Sequence, residues 1–112
     1  MTGRHFFSVF YTCRKNVELL DNTTGLEKLS RKIIEKSNMT LFNIATKHFK
    51  PQGITLLAII GESHFSIHTY PELKGCIIDI LTCGNEGDPR KGIEFLKKYL
   101  DPEEVEENYF TF

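Results

Sequence analysis

Runs of apolar residues with two different periods divide this chain into strands and helices. Arg4 to Cys13 is dense in aromatic and β-branched residues (Phe6, Phe7, Val9, Phe10, Tyr11, Thr12), the composition of a strand. After the polar Arg14-Lys15-Asn16, the segment Val17 to Asp21 reads as a short turn of helix. Leu26, Leu29, Ile33 and Ile34 then recur at helical spacing, and Thr24 with Glu27 makes a capping box that opens this helix. It ends near Ser37-Asn38, and Lys28, Arg31, Lys32, Glu35 and Lys36 give it a solvated face.

Thr40 to Phe49 is a second strand, followed by a turn at Pro51-Gln52-Gly53. Ile54 to Ile60 is almost wholly apolar, as suits a central strand. Phe65 to Thr69 alternates, so Phe65 and Ile67 face the core while His64, Ser66 and His68 share the other face. A loop from Tyr70 to Gly75 leads to a strand over Cys76 to Cys83, which Gly84 to Gly87 ends. Asp88-Pro89 supplies an N-cap and a first-turn proline for a second helix, striped by Ile93, Leu96 and Leu100. Asp101-Pro102 stops it, and Val105 to Phe112 forms a last strand at a sheet edge. The order β-α-β-β-β-β-α-β implies an α+β fold: a two-layer sandwich, an antiparallel sheet with two helices on one face, in one domain spanning 1–112.

Composition narrows the partners. Hydrophobic residues make up 40% and charged residues 26%, as in ordinary soluble domains. The net charge of −1 argues against a nucleic-acid partner, which needs a basic stripe; Lys47-His48-Phe49-Lys50 is too short to be one. Three cysteines, an odd number with no CxxC and no secretory signal, imply free thiols in a reducing, cytoplasmic setting. No apolar run approaches the roughly 20 residues that span a membrane.

Candidate chemistry concentrates in residues 61–72, a polar stretch between two apolar ones. His64 and His68 are four apart, but on a strand that is about 13 Å, too far for one ion, so no metal is expected. Gly61-Glu62-Ser63-His64-Phe65 lacks the second glycine of a nucleophile elbow, and no phosphate-binding loop motif occurs. Taken singly, Ser63 is a turn residue, His68 a strand histidine and Cys83 a small buried thiol. Residue types alone leave those readings open.

The run Glu62-Ser63-His64-Phe65-Ser66-Ile67-His68-Thr69-Tyr70-Pro71-Glu72 resembles the processing motif of the bacterial and archaeal S-adenosylmethionine decarboxylases. Gly3-Arg4-His5, His48-Phe49-Lys50-Pro51-Gln52-Gly53, and Asp79-Ile80-Leu81-Thr82-Cys83-Gly84 with Asp88-Pro89 resemble further family motifs, in the family's order. The resemblance implies a carboxy-lyase for spermidine biosynthesis whose proenzyme cleaves itself between Glu62 and Ser63, giving chains 1–62 and 63–112. Ser63 would become a pyruvoyl group that forms a Schiff base with the substrate. It further implies that His68 is the proton acceptor in processing, that Thr55 assists, and that Cys83 is the proton donor in decarboxylation. Phe49 would stack on adenine, Glu72 would bind the ribose, and the protomers would form a homodimer, with residues such as Phe49 or Thr55 contributed across it. Thr55-Leu56 stands where the family commonly has Ser-Gly, so added bulk in the pocket is expected. Relatives on this scaffold that decarboxylate arginine or ornithine are the alternative.

Overall fold

Alternation between inward and outward side chains builds both layers. The computed structural model describes residues 2–61, 63–84 and 87–112. Its strands are β1 (Gly3–Cys13), β2 (Leu41–His48), β3 (Ile54–Ile60), β4 (Ser63–Tyr70), β5 (Gly75–Cys83) and β6 (Pro102–Thr111). They form one six-stranded sheet in the order β2-β3-β4-β5-β1-β6, every pair antiparallel. Helices α1 (Thr23–Lys36) and α2 (Pro89–Leu100) supply the second layer, and a 3-10 turn (Val17–Asp21) precedes α1. The expected α+β sandwich is therefore present, with β6 at an edge.

Phe6 and Phe10 of β1, Ile54, Leu56, Ala58 and Ile60 of β3, Phe65 and Ile67 of β4, and Ile78 and Ile80 of β5 are buried. They meet Leu26, Leu29, Ile33 and Ile34 of α1 and Ile93, Leu96 and Leu100 of α2. Each Leu, Ile or Phe among them contributes roughly 1.5–3 kcal/mol through removal from water. No helix among the described residues covers the other sheet face, and there Leu57 and Ile59 remain 55% and 59% exposed.

The start of α1 differs from the sequence expectation. Asn22, not Thr24, is the N-cap: its Oδ1 accepts the Gly25 N–H at 2.9 Å, and Thr24 lies inside the helix. Asparagine in the extended conformation is as good a cap as threonine, and it satisfies the first-turn amide without Glu27. β4 also begins earlier than Phe65, at Ser63, because the ladder to β3 runs back to the Ile60–Ser63 pair.

The helices approach closely at Gly92. A Cβ there would lie 2.1 Å from Ser37 Oγ and 2.7 Å from the Ile33 carbonyl oxygen. Alanine's helix propensity favours Gly92→Ala by about 1 kcal/mol, but overpacking against a fixed backbone oxygen costs about 1–3 kcal/mol. Net destabilisation is expected, read as a lower urea midpoint at unchanged slope.

Past α2 the chain reverses at Asp101, whose φ is 48°. Arg14 donates from Nε to Asp101 Oδ2 at 3.1 Å and from Nη2 to Oδ1 at 3.2 Å. The Arg14 hydrogen bonds hold the Asp101 carboxyl below its ordinary range. A depressed carboxylate stabilises the fold above its unfolded pKa and loses that contribution as pH falls through the folded one. Wild type and Asp101→Asn should therefore differ in thermal midpoint near pH 6 and converge well below about pH 4.

Candidate active site

β4 carries reactive residues at its two ends, and the structure keeps them apart. At the Tyr70 end, the β3–β4 register sets Thr55 opposite His68. Both point to the helix-free face, and Thr55 Oγ1 lies 2.5 Å from His68 Nδ1. With Nδ1–H donated to the hydroxyl, Nε2 keeps its lone pair for a proton. The His68 ring packs against Phe49, with centroids 6.0 Å apart, and edge-on against Tyr70 at 4.7 Å.

Phe49, His68 and Tyr70 line a cavity of about 280 Å³ together with Gln52, Gly53, Thr69 and Glu72. Gln52 Nε2 donates to Glu72 Oε2 at 3.0 Å, fixing the carboxylate at the rim. A larger apolar hollow of about 460 Å³, walled by Val9, Tyr11, Leu73 and Ile77, shares Tyr70 with it. Its lining brings no carboxylate, imidazole or amine.

The loop from 49 to 53 is anchored from outside. Asp21 Oδ1 accepts the Gly53 N–H at 3.0 Å and His48 Nε2–H at 2.8 Å. The Gly53 amide, then His48, holds the Asp21 carboxyl below its ordinary range. Phe49 N–H donates to the Gly53 carbonyl at 2.7 Å, closing the loop.

Ser63 sits at the opposite end of β4. It has the parity of the buried Phe65 and Ile67, and its Oγ is buried with no partner among the described residues. Because His64 pairs with Leu81, Cys83 reaches the Ser63 end of the sheet. Cys83 lines a small cavity of about 110 Å³ with Ile60, Gly61 and Thr82, whose hydroxyl is also buried without a partner among the described residues. Of the three free thiols, Cys13 and Cys76 are buried and Cys83 is partly open. Contact with Cys13, then burial, pushes the Cys76 thiol up. Glu62 lies outside the described residues.

Five residues of strand separate Ser63 from His68, about 16 Å, and the odd spacing puts them on opposite faces. The structure thus brings together Thr55, His68, Phe49 and Glu72, and places Ser63 and Cys83 at the other end of β4, Ser63 with the parity of the buried core and Cys83 with that of the outward residues. The bulk expected from Leu56 does not enter a pocket. Leu56 is fully buried and points to the helices, since its parity is opposite to that of Thr55.

The family model described as S-adenosylmethionine decarboxylase matches residues 4–111. The chain belongs to the S-adenosylmethionine decarboxylase family.

A relative from Thermosipho melanesiensis, named S-adenosylmethionine decarboxylase proenzyme, is 39% identical over 103 residues, 92% of this chain and 78% of that one. One of the same name from Methanococcus maripaludis is 36% identical over 104 residues, 93% and 84% of the two chains. The crystal structure of the Aquifex aeolicus adenosylmethionine decarboxylase superposes with a TM-score of 0.86 at 22% identity, covering 96% of this chain and 88% of that one. A Trypanosoma brucei AdoMetDC gives 0.68 at 17% identity, over 93% of this chain and 44% of that one. At these identities the two structures bear on the fold alone.

Within this S-adenosylmethionine decarboxylase frame, sequence reading missed Asp21, Gln52 and Tyr70. Asp21 reads as the end of a short turn, and its partners lie 27 and 32 residues away, so no local spacing marks it. Thr55→Val, which removes the hydroxyl beside His68 Nδ1, is expected to slow self-cleavage about tenfold, while Thr55→Ser retains it. Densitometry of the intact and cut chains over time reads the difference.

Proposed function

We propose that this chain is a proenzyme that cuts itself between Glu62 and Ser63 and then decarboxylates S-adenosylmethionine, supplying an aminopropyl donor for polyamine synthesis. Family membership supports the activity. The relatives described above carry the name S-adenosylmethionine decarboxylase, and none of them supports arginine or ornithine as substrate. A cytoplasmic setting agrees with three free thiols, and no helix among the described residues is long and apolar enough to cross a membrane.

The observation that carries the processing step is the Ser63 hydroxyl, buried without a partner among the described residues at the start of β4. Leaving such a group unpaired costs about 1–3 kcal/mol, so a hydroxyl kept there fits a nucleophile and the precursor of a pyruvoyl group. Ser63 Oγ attacks the Glu62 carbonyl carbon, the residue-63 nitrogen leaves carrying a proton, and the peptide becomes an ester. Loss of the α-proton of residue 63 then expels the Glu62 carboxylate. The dehydroalanine that remains heads chain 63–112 and hydrolyses to the pyruvoyl ketone with release of ammonia, and chain 1–62 is the other product.

The pyruvoyl group supplies an electron sink for the pair left by departing carbon dioxide. The chain's own residues do the rest. His68, oriented by Thr55, accepts the proton during processing. Cys83, the partly open thiol, returns a proton to the substrate Cα. Phe49 offers a face to adenine, and its ring and that of Tyr70 suit a sulfonium cation. Glu72, steadied by Gln52, accepts hydrogen bonds from the ribose hydroxyls.

Ser63 and Cys83 stand at one end of β4, and His68, Thr55, Phe49 and Glu72 at the other, so a site with both sets forms between two copies. The helix-free sheet face, with Leu57 and Ile59 exposed, is the surface for a two-fold dimer. Such a pairing brings His68 of one copy to the Ser63 end of the other.

Mass spectrometry after expression should find two chains in place of one of 12.9 kDa. Ser63→Ala and His68→Ala, each alone, should stay intact. Expressed together, they restore one complete site per mixed dimer, and the His68→Ala chain is cut. An uncut His68→Ala chain in verified mixed dimers would sink the shared site, and an intact wild-type chain would sink the pyruvoyl reading altogether.

A further inference from the structure

The loop bearing Phe49 and Gln52 is closed by a residue that no part of the chemistry above uses. His48 stands just before Phe49, and Gly53 ends the loop at φ 99°. One oxygen of Asp21 accepts hydrogen bonds from both, at 2.8 Å and 3.0 Å, and so pins the two ends of the loop to one point. Hydrogen bonds to a charged acceptor are roughly twice as strong as neutral ones.

The core does not depend on this carboxylate. The 3-10 turn before α1 is joined to the sheet through its neighbour: Thr69 Oγ1 donates to the Leu20 carbonyl at 2.6 Å and accepts the Ile54 N–H at 2.9 Å, all within buried residues. Leu20 is fully buried, whereas the Asp21 side chain is 41% exposed. Leu20 thus serves the fold, and Asp21 spends its charge on the loop alone.

We infer that Asp21 is a positioning residue for substrate binding: its carboxylate clamps residues 48–53 so that Phe49, and Glu72 through Gln52, are held ready at the cavity of His68. This rests on the binding roles given above to Phe49 and Glu72. Asp21 does not touch the substrate and takes no part in proton transfer, so its loss is felt in binding and not in self-cleavage or turnover.

The test uses the processed enzyme with Asp21→Ala, Asp21→Asn, Phe49→Ala and the double Asp21→Ala/Phe49→Ala. Steady-state kinetics with S-adenosylmethionine are combined with hydrogen exchange at the Gly53 amide. Asp21→Ala should cleave itself fully, raise KM about tenfold, leave kcat within about twofold, and speed Gly53 exchange. Asp21→Asn keeps an accepting oxygen without the charge and should fall between; it also stands in if the alanine variant does not fold. The double variant should have a KM within about twofold of Phe49→Ala, because both act on one loop. An unchanged KM in Asp21→Ala, or effects that multiply in the double variant, overturns the inference. A KM raised by Asp21→Ala but unchanged by Phe49→Ala also overturns it, because the clamp is then not acting through the ring it is inferred to hold.

Discussion

Register on β4 is the constraint from which the site follows. Phe65, Ile67 and Thr69 are buried against the helix layer, so the side chains between them must face the other way. A slip of one residue would bury His64, Ser66 and His68 and expose the core set, at a cost of several kilocalories per mole. The same register sets Thr55 against His68 and sends Leu56 into the core. The Thr55–His68 pair is thereby fixed by apolar residues on the other face of the strand. Thr69 strengthens the arrangement, since its buried hydroxyl joins β3 and the 3-10 turn at one atom.

Much of the fold was legible because periodicity is a local property. The stripe of Leu26, Leu29, Ile33 and Ile34 and the alternation around Phe65 each appear within one element. The cap of α1 is not legible in the same way, because Asn22 and Thr24, two positions apart, both suit the role and only backbone geometry chooses Asn22. Strand order was not legible either. β1 pairs with both β5 and β6, residues far along the chain, and nothing in its composition names those neighbours.

The site was legible as a motif but not as a shape. Ser63 and His68 are close in sequence, which suggests a shared location, yet an extended strand turns five residues into two distant places. Residues that act through a bond to another loop left less trace still. Gln52 looks like part of a turn until its amide is found on Glu72, and Asp21 looks like the end of one until Gly53 and His48 are found on its carboxylate. Such residues are visible only when segments distant in the chain have been brought side by side.

Sheet order also decides what a broken backbone can do. Read across the sheet, the strands before residue 62 are β2, β3 and β1, and those after it are β4, β5 and β6. They interleave: β3 lies on β4, and β1 is held between β5 and β6. The two helices, one from each part, close over the same core. A cut at this point severs one covalent link and leaves the pieces laced together along three ladders. Neither fragment can leave without tearing the sheet in more than one place, so the chain can spend its own peptide bond and keep its shape.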